Sequence, residues 1–413
     1  MKRATSEGRG RVTHLLNALL VAFNVYGHAA VGAYLANTRI IGLRESPYKA
    51  LVLFGHTALW PLFGFAQALR LGGLSHFGRY ILAPFSFGRL WALLFTLLGL
   101  RSFIQEVYRK RYPRPSPPEL LSTRVDYLDM RGEIRTADGR EASGLRGMVN
   151  KLNQFYTLDL TTLELQITSL PPELDGFTIV QVSDVHYGHF NSTEFIRRYV
   201  ALTLEMKPDL IALTGDYQTY LHDVEDAAHI LSPFGEWSCR ERGGLGALAV
   251  LGNHDRESGE AHVTDALRRV GIKVLRNENV RIEKDGASLY VAGVADPWSY
   301  RADLDLALHG VPAGSCVILL AHVPDFLTTA AKGTGLPSRG VDLQLSGHNH
   351  GGQIKLPFFG PLLVSSRYGR RYAEGLHKMG RTLMYANRGL GGKPAVRWGA
   401  RPELTRFVLR SAR

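Results

Sequence analysis

The feature that most constrains the fold is a series of short apolar runs at wide spacing from about Thr157 onward. Most have the length of a buried strand, and stretches with helical periodicity lie between some of them. Strands that alternate with helices predict an α/β fold in which sheets are layered and helices lie outside. The runs are LDLTTLELQI, FTIVQV, LIALTG, ALAVLG, LYVAGV, CVILLA and VDLQLSG.

Two of the intervening stretches carry helix end signals. NSTEFIRRYVALTLEM opens with Asn191, a typical N-cap residue, and has Glu194 three positions later. SGEAHVTDALRRVG stops at Gly271, a typical helix terminator. Both stretches are therefore predicted to be helices.

Metal-ligand residue types follow five of the apolar runs, where each predicted strand ends. Open α/β sheets bind ligands at this edge. Taken singly, each residue has an ordinary explanation: Asp216 suits a turn, His322 suits a hydrogen-bonded core position, and LSGHNHGGQ suits an exposed loop. Five occurrences at strand ends are hard to attribute to chance. The residues are Asp184 with His186, Asp216, Asn253 with His254 and Asp255, His322, and His348 with His350.

These residue types indicate the chemistry of the site. Carboxylate, amide and imidazole groups without thiolate suit Mn²⁺, Fe²⁺ or Fe³⁺, Zn²⁺ or Mg²⁺. The set is large enough for two ions about 3.5–4 Å apart with one bridging carboxylate, a pair that lowers the pKa of a shared water and holds phosphoryl oxygens for in-line attack. We expect two divalent metal ions, with Mn²⁺ favoured.

Composition sets wider limits. The chain has 413 residues, which suggests two regions, and a formal net charge of +12. Such a charge favours binding to nucleic acid, to an anionic membrane or to a phosphorylated substrate. The charged residues are spread along the whole chain, so their distribution does not distinguish these partners. The two cysteines, Cys239 and Cys316, exclude a disulfide framework and a cysteine zinc site.

The N-terminal region contains three apolar runs, at 14–37, 50–69 and 80–100, the last interrupted by Pro84 and Arg89. A bilayer core requires about 20 apolar residues per helix. Three runs in succession disfavour a buried helical hairpin, and their length disfavours a cleaved signal peptide. We expect residues 1–111 to be a transmembrane helical region. Basic residues flank the runs on both sides, which favours a cytoplasmic catalytic domain but leaves the number of crossings open.

The segment 112–156 is expected to be a linker with an amphipathic part. QEVYRKRYPRPSPP combines basic residues with a Pro-rich stretch, as in a membrane-surface anchor followed by a stiff spacer. SGLRGMVNKLNQFY places its apolar residues on one helical face, which either lies on the bilayer or, as we favour, packs on the following domain. That domain, 157–413, is expected to be the catalytic one.

The ordered set D-x-H, G-D, G-N-H-D, a strand-borne His and G-H-x-H resembles the calcineurin-like metallophosphoesterase superfamily. The match covers roughly Gly176 to the C-terminus, and LPPELDGFTIVQVSDVHYG, VLGNHD, LSGHNHGGQIKLP and RGLGG…RPELTRFVL resemble its membrane-anchored bacterial phosphoesterase branch. The resemblance implies a layered β-sandwich flanked by helices. It assigns Asp184, His186 and His350 to one metal, Asn253, His322 and His348 to the other, Asp216 to both, and general-acid or transition-state stabilisation to the catalytic His254.

The sequence departs from the family pattern at two positions. Asn349 stands where a small hydroxyl residue is expected, and Thr219 stands where protein-phosphatase relatives have an acidic partner for the catalytic histidine. Asp255 is an alternative partner for His254. Arg256 is either a phosphate contact or a solvated loop residue, and His189 is close enough in sequence to meet substrate. His222, His229 and His262 follow no strand and are not counted as ligands.

The expected function is that of a membrane-anchored dinuclear metal hydrolase that cleaves a phosphodiester or pyrophosphate. By analogy with a lipid A enzyme of the superfamily, a lipid- or nucleotide-linked substrate such as UDP-2,3-diacylglucosamine is a candidate. A soluble phosphodiester, with the apolar runs as a tether, is the other. The expected location is the bacterial inner membrane, with several crossings and no nucleic-acid partner. The alternative from another class is a non-catalytic membrane sensor that binds metal or nucleotide.

Overall fold

The structure of the protein is a computed structural model that describes residues 19, 87–111, 115–131, 153–188, 191, 193–241, 246–299, 301–329, 340–356, 360–361, 364–392 and 395–412. It divides into two compact units. One comprises residues 1–114 and 355–369, and the other comprises residues 115–354 and 370–413. The apolar runs at 14–37 and 50–69 lie outside the described residues, apart from Leu19.

The helices and strands are as follows in chain order. The helices are α1 (Phe87–Arg111), α2 (Thr193–Glu205), α3 (Val224–Glu241), α4 (Asn253–Glu257), α5 (Glu260–Arg269), α6 (Leu304–Ala307) and α7 (Phe326–Thr329). The strands are β1 (Leu120–Asp129), β2 (Thr157–Ile167), β3 (Phe177–Val182), β4 (Leu210–Leu213), β5 (Ala247–Ala249), β6 (Lys273–Val274), β7 (Glu278–Lys284), β8 (Ala287–Gly293), β9 (Val317–Leu320), β10 (Leu343–Ser346), β11 (Lys355–Leu356), β12 (Gly360–Pro361), β13 (Gly375–Met379), β14 (Thr382–Ala386) and β15 (Glu403–Ser411).

The first unit contains α1 and the antiparallel pair β11–β12. α1 takes up the second part of the third apolar run and continues through the basic residues after it, to Arg111. None of the helices in the described part of the chain is long and apolar enough to cross a bilayer.

The second unit is built on two sheets. One has the strand order β1-β2-β15-β3-β4-β5-β6, and the other has the order β13-β14-β10-β9-β8-β7. β3, β4, β5 and β6 are mutually parallel in the first sheet, and β8, β9, β10 and β14 are mutually parallel in the second. Each sheet therefore presents the carboxyl ends of several neighbouring strands along one edge.

Two apolar cores hold these layers together. Ile179, Leu210 and Leu248 of the first sheet share a cluster with Ile318 and Leu345 of the second, so the two sheets pack face to face. The other face of the first sheet is covered by α2, α3 and α5, whose apolar side chains form the second cluster. The prediction of a layered β-sandwich flanked by helices is confirmed.

The helix predictions hold, with one correction. α2 and α5 lie within the two predicted stretches, and Gly271 follows α5 with a positive φ of 83°. Asn191, however, is not the N-cap of α2. It lies two residues before the helix, and its amide donates to the carbonyls of Val185 at 2.7 Å and His186 at 3.0 Å. Its side chain therefore supports the loop that follows β3.

β1 was not predicted. It lies inside the segment 112–156 and pairs antiparallel with β2 at the edge of the first sheet. Most of its residues are exposed, so the alternation that marks a half-buried strand is absent. Of the predicted amphipathic stretch at 143–156, the structure describes only Asn153 to Tyr156, where residues 154–156 form a 3₁₀ turn with Phe155 buried.

Candidate metal centre

The predicted ligands meet at the carboxyl edges of the two sheets. Asp184 and His186 follow β3, Asp216 follows β4 and Asn253 follows β5 in the first sheet, while His322 follows β9 and the two histidines of G-H-x-H follow β10 in the second. Three groups of these side chains have ligand atoms within 4.8 Å of one another: Asp184, His186 and His350; His186, Asp216 and His254; and Asp216, His322 and His348.

Asp216 belongs to two of these groups. Its Oδ2 atom lies 3.7 Å from His186 Nε2 on one side and 3.3 Å from His322 Nε2 on the other. A single carboxylate oxygen therefore lies between two clusters of imidazole nitrogens. This is the position that a bridging ligand requires.

Each cluster is compact in its own right. His350 Nε2 is 3.2 Å from His186 Nε2 and 3.4 Å from Asp184 Oδ1. In the other cluster, His348 Nδ1 is 3.1 Å from His322 Nε2. The ligand atoms of each group lie within 4.8 Å of one another, so one ion could contact all of them.

The backbone at these positions is unusual. Among the described residues, nine other than glycine have positive φ angles, a conformation that L-amino acids seldom adopt. Such conformations cost of order 1–3 kcal/mol each and tend to cluster at functional sites. Five of the nine are predicted ligands: Asp184, Asp216, His186, His348 and His350.

Burial sets the electrostatics of the cluster. It raises the pKa of Asp184 to about 6 and lowers the pKa of His186 to about 3. Burial also acts to raise the pKa of Asp216, but the imidazoles of His322, His254 and His186 together outweigh it and hold that pKa well below its usual value. Burial thus favours the neutral forms of Asp184 and His186. A bound cation would favour the Asp184 carboxylate, and a neutral imidazole is the form that binds metal.

Asn253 gives a direct test of whether the residues fit a metal. The residue is 8% exposed, and its Oδ1 atom has no hydrogen-bond partner within the described residues. A buried amide oxygen without a partner is costly, and such an oxygen is a good ligand for a hard divalent ion. The donor set therefore fits divalent metal ions.

The loops that carry the ligands are held by further buried contacts. Asp255 accepts hydrogen bonds from the amides of Asp216 at 2.7 Å, Tyr217 at 3.0 Å and Gly252 at 2.7 Å. The suggestion that Asp255 orients the His254 ring is therefore wrong, because its carboxylate joins the loops after β4 and β5. The acidic group beside His254 Nδ1 is instead Glu257, at 3.7 Å.

The positions that depart from the family pattern have structural roles. The buried Asn349 donates to the carbonyl of Tyr372 at 2.7 Å, while His348 and His350 on either side keep their places in the clusters. Thr219 donates to the backbone carbonyl of His186 at 3.3 Å and offers no acidic group.

Two further segments contribute residues that the sequence did not reveal, namely the end of β8 and the loop between β14 and β15. After β8, the buried Asp296 pairs with Arg256 at 3.1 Å, so Arg256 is not a free loop residue. Trp298 lies edge to face against His348, with ring centroids 4.3 Å apart. Near the C-terminus, the buried Arg397 contacts His350. His189 lies outside the described residues.

The sequence of this chain is similar to those of known proteins. Residues 177–352 match the calcineurin-like phosphoesterase family. The uncharacterized metallophosphoesterase YkuE of Bacillus subtilis is 35% identical over 266 residues, which cover 62% of this chain and 87% of that protein. The chain belongs to the calcineurin-like phosphoesterases. It is a metal-dependent phosphoesterase, as the resemblance predicted.

Two other relatives are similar to this chain. Phosphodiesterase YaeI of Escherichia coli is 32% identical over 238 residues, which cover 56% of this chain and 82% of that protein. The transmembrane protein with metallophosphoesterase domain of Bos taurus is 30% identical over 282 residues, which cover 64% of this chain and 60% of that protein. Its name associates a metallophosphoesterase domain with a membrane.

Proposed function

We propose that the chain is a phosphodiesterase with a dinuclear metal centre. The observation that carries the proposal is the position of Asp216 Oδ2 between two clusters of histidine nitrogens. One metal would be held by Asp184, His186 and His350, and the other by Asn253, His322 and His348, with Asp216 shared. When bound, such a pair supplies a nucleophile at neutral pH and stabilises charge on phosphoryl oxygens. We favour Mn²⁺.

His254 is the proposed general acid of this site. Its ring centroid is 4.9 Å from that of His186, and its side chain is 23% exposed, so it borders the centre and remains open to substrate. Its backbone amide donates to Asp216 Oδ1 at 2.9 Å, which fixes it relative to the shared carboxylate. With Nδ1 facing the Glu257 carboxylate, Nε2 would deliver the proton to the leaving oxygen.

The proposed substrate is a phosphodiester or pyrophosphate linked to a lipid or a nucleotide, such as UDP-2,3-diacylglucosamine. Three apolar runs near the N-terminus support a multi-pass anchor in the bacterial inner membrane, as does the relative named for a membrane. In α1, Leu97 and Ile104 are more than half exposed, and the helix ends in Arg109, Lys110 and Arg111. A catalytic domain on the cytoplasmic side, without a nucleic-acid partner, completes the proposal.

Hydrolysis assays test the activity and the substrate class separately. The purified full chain should hydrolyse bis(p-nitrophenyl) phosphate with Mn²⁺, lose this activity in EDTA, and recover it when Mn²⁺ is restored. Faster hydrolysis of UDP-2,3-diacylglucosamine in mixed micelles than of the same headgroup without acyl chains would support the lipid-linked substrate. Metal binding without hydrolysis of any of these compounds would favour the sensor over the enzyme.

A further inference from the structure

Arg397 is a fully buried arginine whose guanidinium is surrounded by backbone carbonyls. Its side chain is 0% exposed. Nη1 donates to the carbonyls of Arg388 at 2.7 Å, Ala400 at 3.2 Å and His350 at 3.3 Å. Nη2 donates to the carbonyl of Gly389 at 3.2 Å and to that of Gly391. Burying an isolated charge costs several kcal/mol, so a site that keeps one needs its hydrogen bonds.

The same guanidinium contacts a predicted ligand. Nη2 lies 3.0 Å from Nδ1 of His350. The contact occupies Nδ1 and leaves Nε2 as the nitrogen that faces Asp184 Oδ1 at 3.4 Å. Arg397 thus fixes both the backbone and the ring orientation of His350.

The glycine turn that Arg397 holds also supports the loop after β3. Leu390 donates to the carbonyl of Ser183 at 3.0 Å, and Gly391 donates to that of Asp184 at 2.7 Å. Gly389 has a φ of +69°, and a Cβ atom there would lie 2.6 Å from the Cβ of Asp184. The turn therefore lies directly against the Asp184 backbone, at a separation that only glycine permits.

We propose that Arg397 is a positioning residue for one of the two metals, the one assigned to Asp184, His186 and His350. It joins the loop that carries the first two ligands to the loop that carries the third. Its hydrogen bonds do not reach Asn253 or His322 among the described residues. The inference rests on the proposed dinuclear centre and adds a residue outside its ligand set.

Lysine cannot take this role. A guanidinium is a planar fork with five donors, whereas an ammonium is a point charge with three. Arg397→Lys keeps the buried cation but cannot reach the carbonyls on both sides of the fork and the His350 ring together. Both Arg397→Lys and Arg397→Met should therefore weaken one metal about 10–100-fold, the usual effect of removing a group that orients a metal ligand.

Metal content and electron paramagnetic resonance of the Mn²⁺-loaded full chain test the inference. The wild type should hold two equivalents with a spin-coupled spectrum. Both Arg397 variants, dialysed against limiting Mn²⁺, should hold about one equivalent with the six-line spectrum of an isolated ion, as should His350→Ala.

Asn153→Ala is the structural control, because Asn153 accepts from the Arg397 amide at 2.9 Å and donates to the Ala395 carbonyl at 2.8 Å. It should unfold at a lower temperature and keep both metals.

The outcomes separate the two proposals. Two tightly held, coupled ions in both Arg397 variants would overturn the positioning role. Loss of both ions in these variants, or an equal loss in Asn153→Ala, would also overturn it and assign Arg397 to general stability. A wild type with fewer than two ions would instead contradict the dinuclear centre itself.

Discussion

The strand β4 has an aspartate at each end, and the two differ in backbone conformation and in the groups that surround the carboxylate. Asp209 precedes the strand, and Asp216 follows it seven positions later. Asp209 accepts hydrogen bonds from the amide and hydroxyl of Thr178, at 2.8 and 2.9 Å, and pairs with Lys284 at 2.9 Å. Asp216 has a φ of 57° and faces the imidazoles of His186 and His322.

The comparison shows how one strand serves both stability and chemistry. At the amino end, the carboxylate has a cation and two local donors, and its backbone is not among the positive-φ positions. At the carboxyl end, the backbone is in an unfavourable conformation, and the acid is surrounded by groups of the metal-ligand type. The contacts of Asp209 stabilise the fold. The backbone conformation at Asp216 reduces stability but places the carboxylate among the other ligands.

Asp216→Asn should have the largest effect. The amide removes the negative charge that two cations would share, so hydrolysis of bis(p-nitrophenyl) phosphate should fall to the rate of buffer alone. Far-ultraviolet circular dichroism should match the wild type, because the side-chain shape is kept. Turnover near the wild-type rate would show that Asp216 does not bridge the metals.

His254→Ala should have a smaller effect that depends on the substrate. Loss of a positioned proton donor lowers rates about 10²–10⁴-fold, and both metals should remain bound. A diester with an alkyl leaving group should be affected most, because its leaving oxygen needs a proton, and a nitrophenyl ester should be affected least. Equal losses on both would assign His254 to charge stabilisation, and loss of metal would make it a ligand.

Asp209→Asn should affect stability alone. Burial acts to raise the pKa of Asp209, but the hydrogen bonds from Lys284 and Thr178 and the charge of Lys284 together outweigh it and hold the pKa below its usual value. The carboxylate's contribution is therefore complete above about pH 4 and is lost as the pH falls through the lowered folded-state pKa. Urea unfolding should show the variant about 1–2 kcal/mol less stable at pH 7, with the difference shrinking in acid.

The same variant should hydrolyse the nitrophenyl diester at the wild-type rate. Asp209 lies at the opposite end of β4 from the centre, and the strand alone spans roughly 13 Å between them. A large loss of activity at unchanged stability would show that the two ends of the strand do not have separate roles.

Much of the centre was predictable because its residues follow recognisable strands. Asp184, Asp216 and His322 each come shortly after a short apolar run, and the parallel strand directions bring them to common edges. The fold class followed from the same runs. In these cases, local sequence and global topology lead to the same answer.

The supporting contacts were not predictable from sequence. Arg397 binds backbone carbonyls, which every residue carries, so the sequence does not mark its partners. One of these partners, His350, is 47 positions away. β1 is exposed on both faces and has no apolar alternation. Asn191 has the residue type of an N-cap, but a tertiary contact with the loop after β3 takes its side chain. Local propensity decided none of these features.

Anomalous diffraction from crystals of the Mn²⁺-loaded protein tests the central claim most directly. Two manganese peaks are expected about 3.5–4 Å apart, the spacing of a dinuclear pair. The carboxylate of Asp216 should lie between them, with His186 on one side and His322 on the other. A single peak under saturating Mn²⁺, or two peaks that do not share Asp216, would contradict the account.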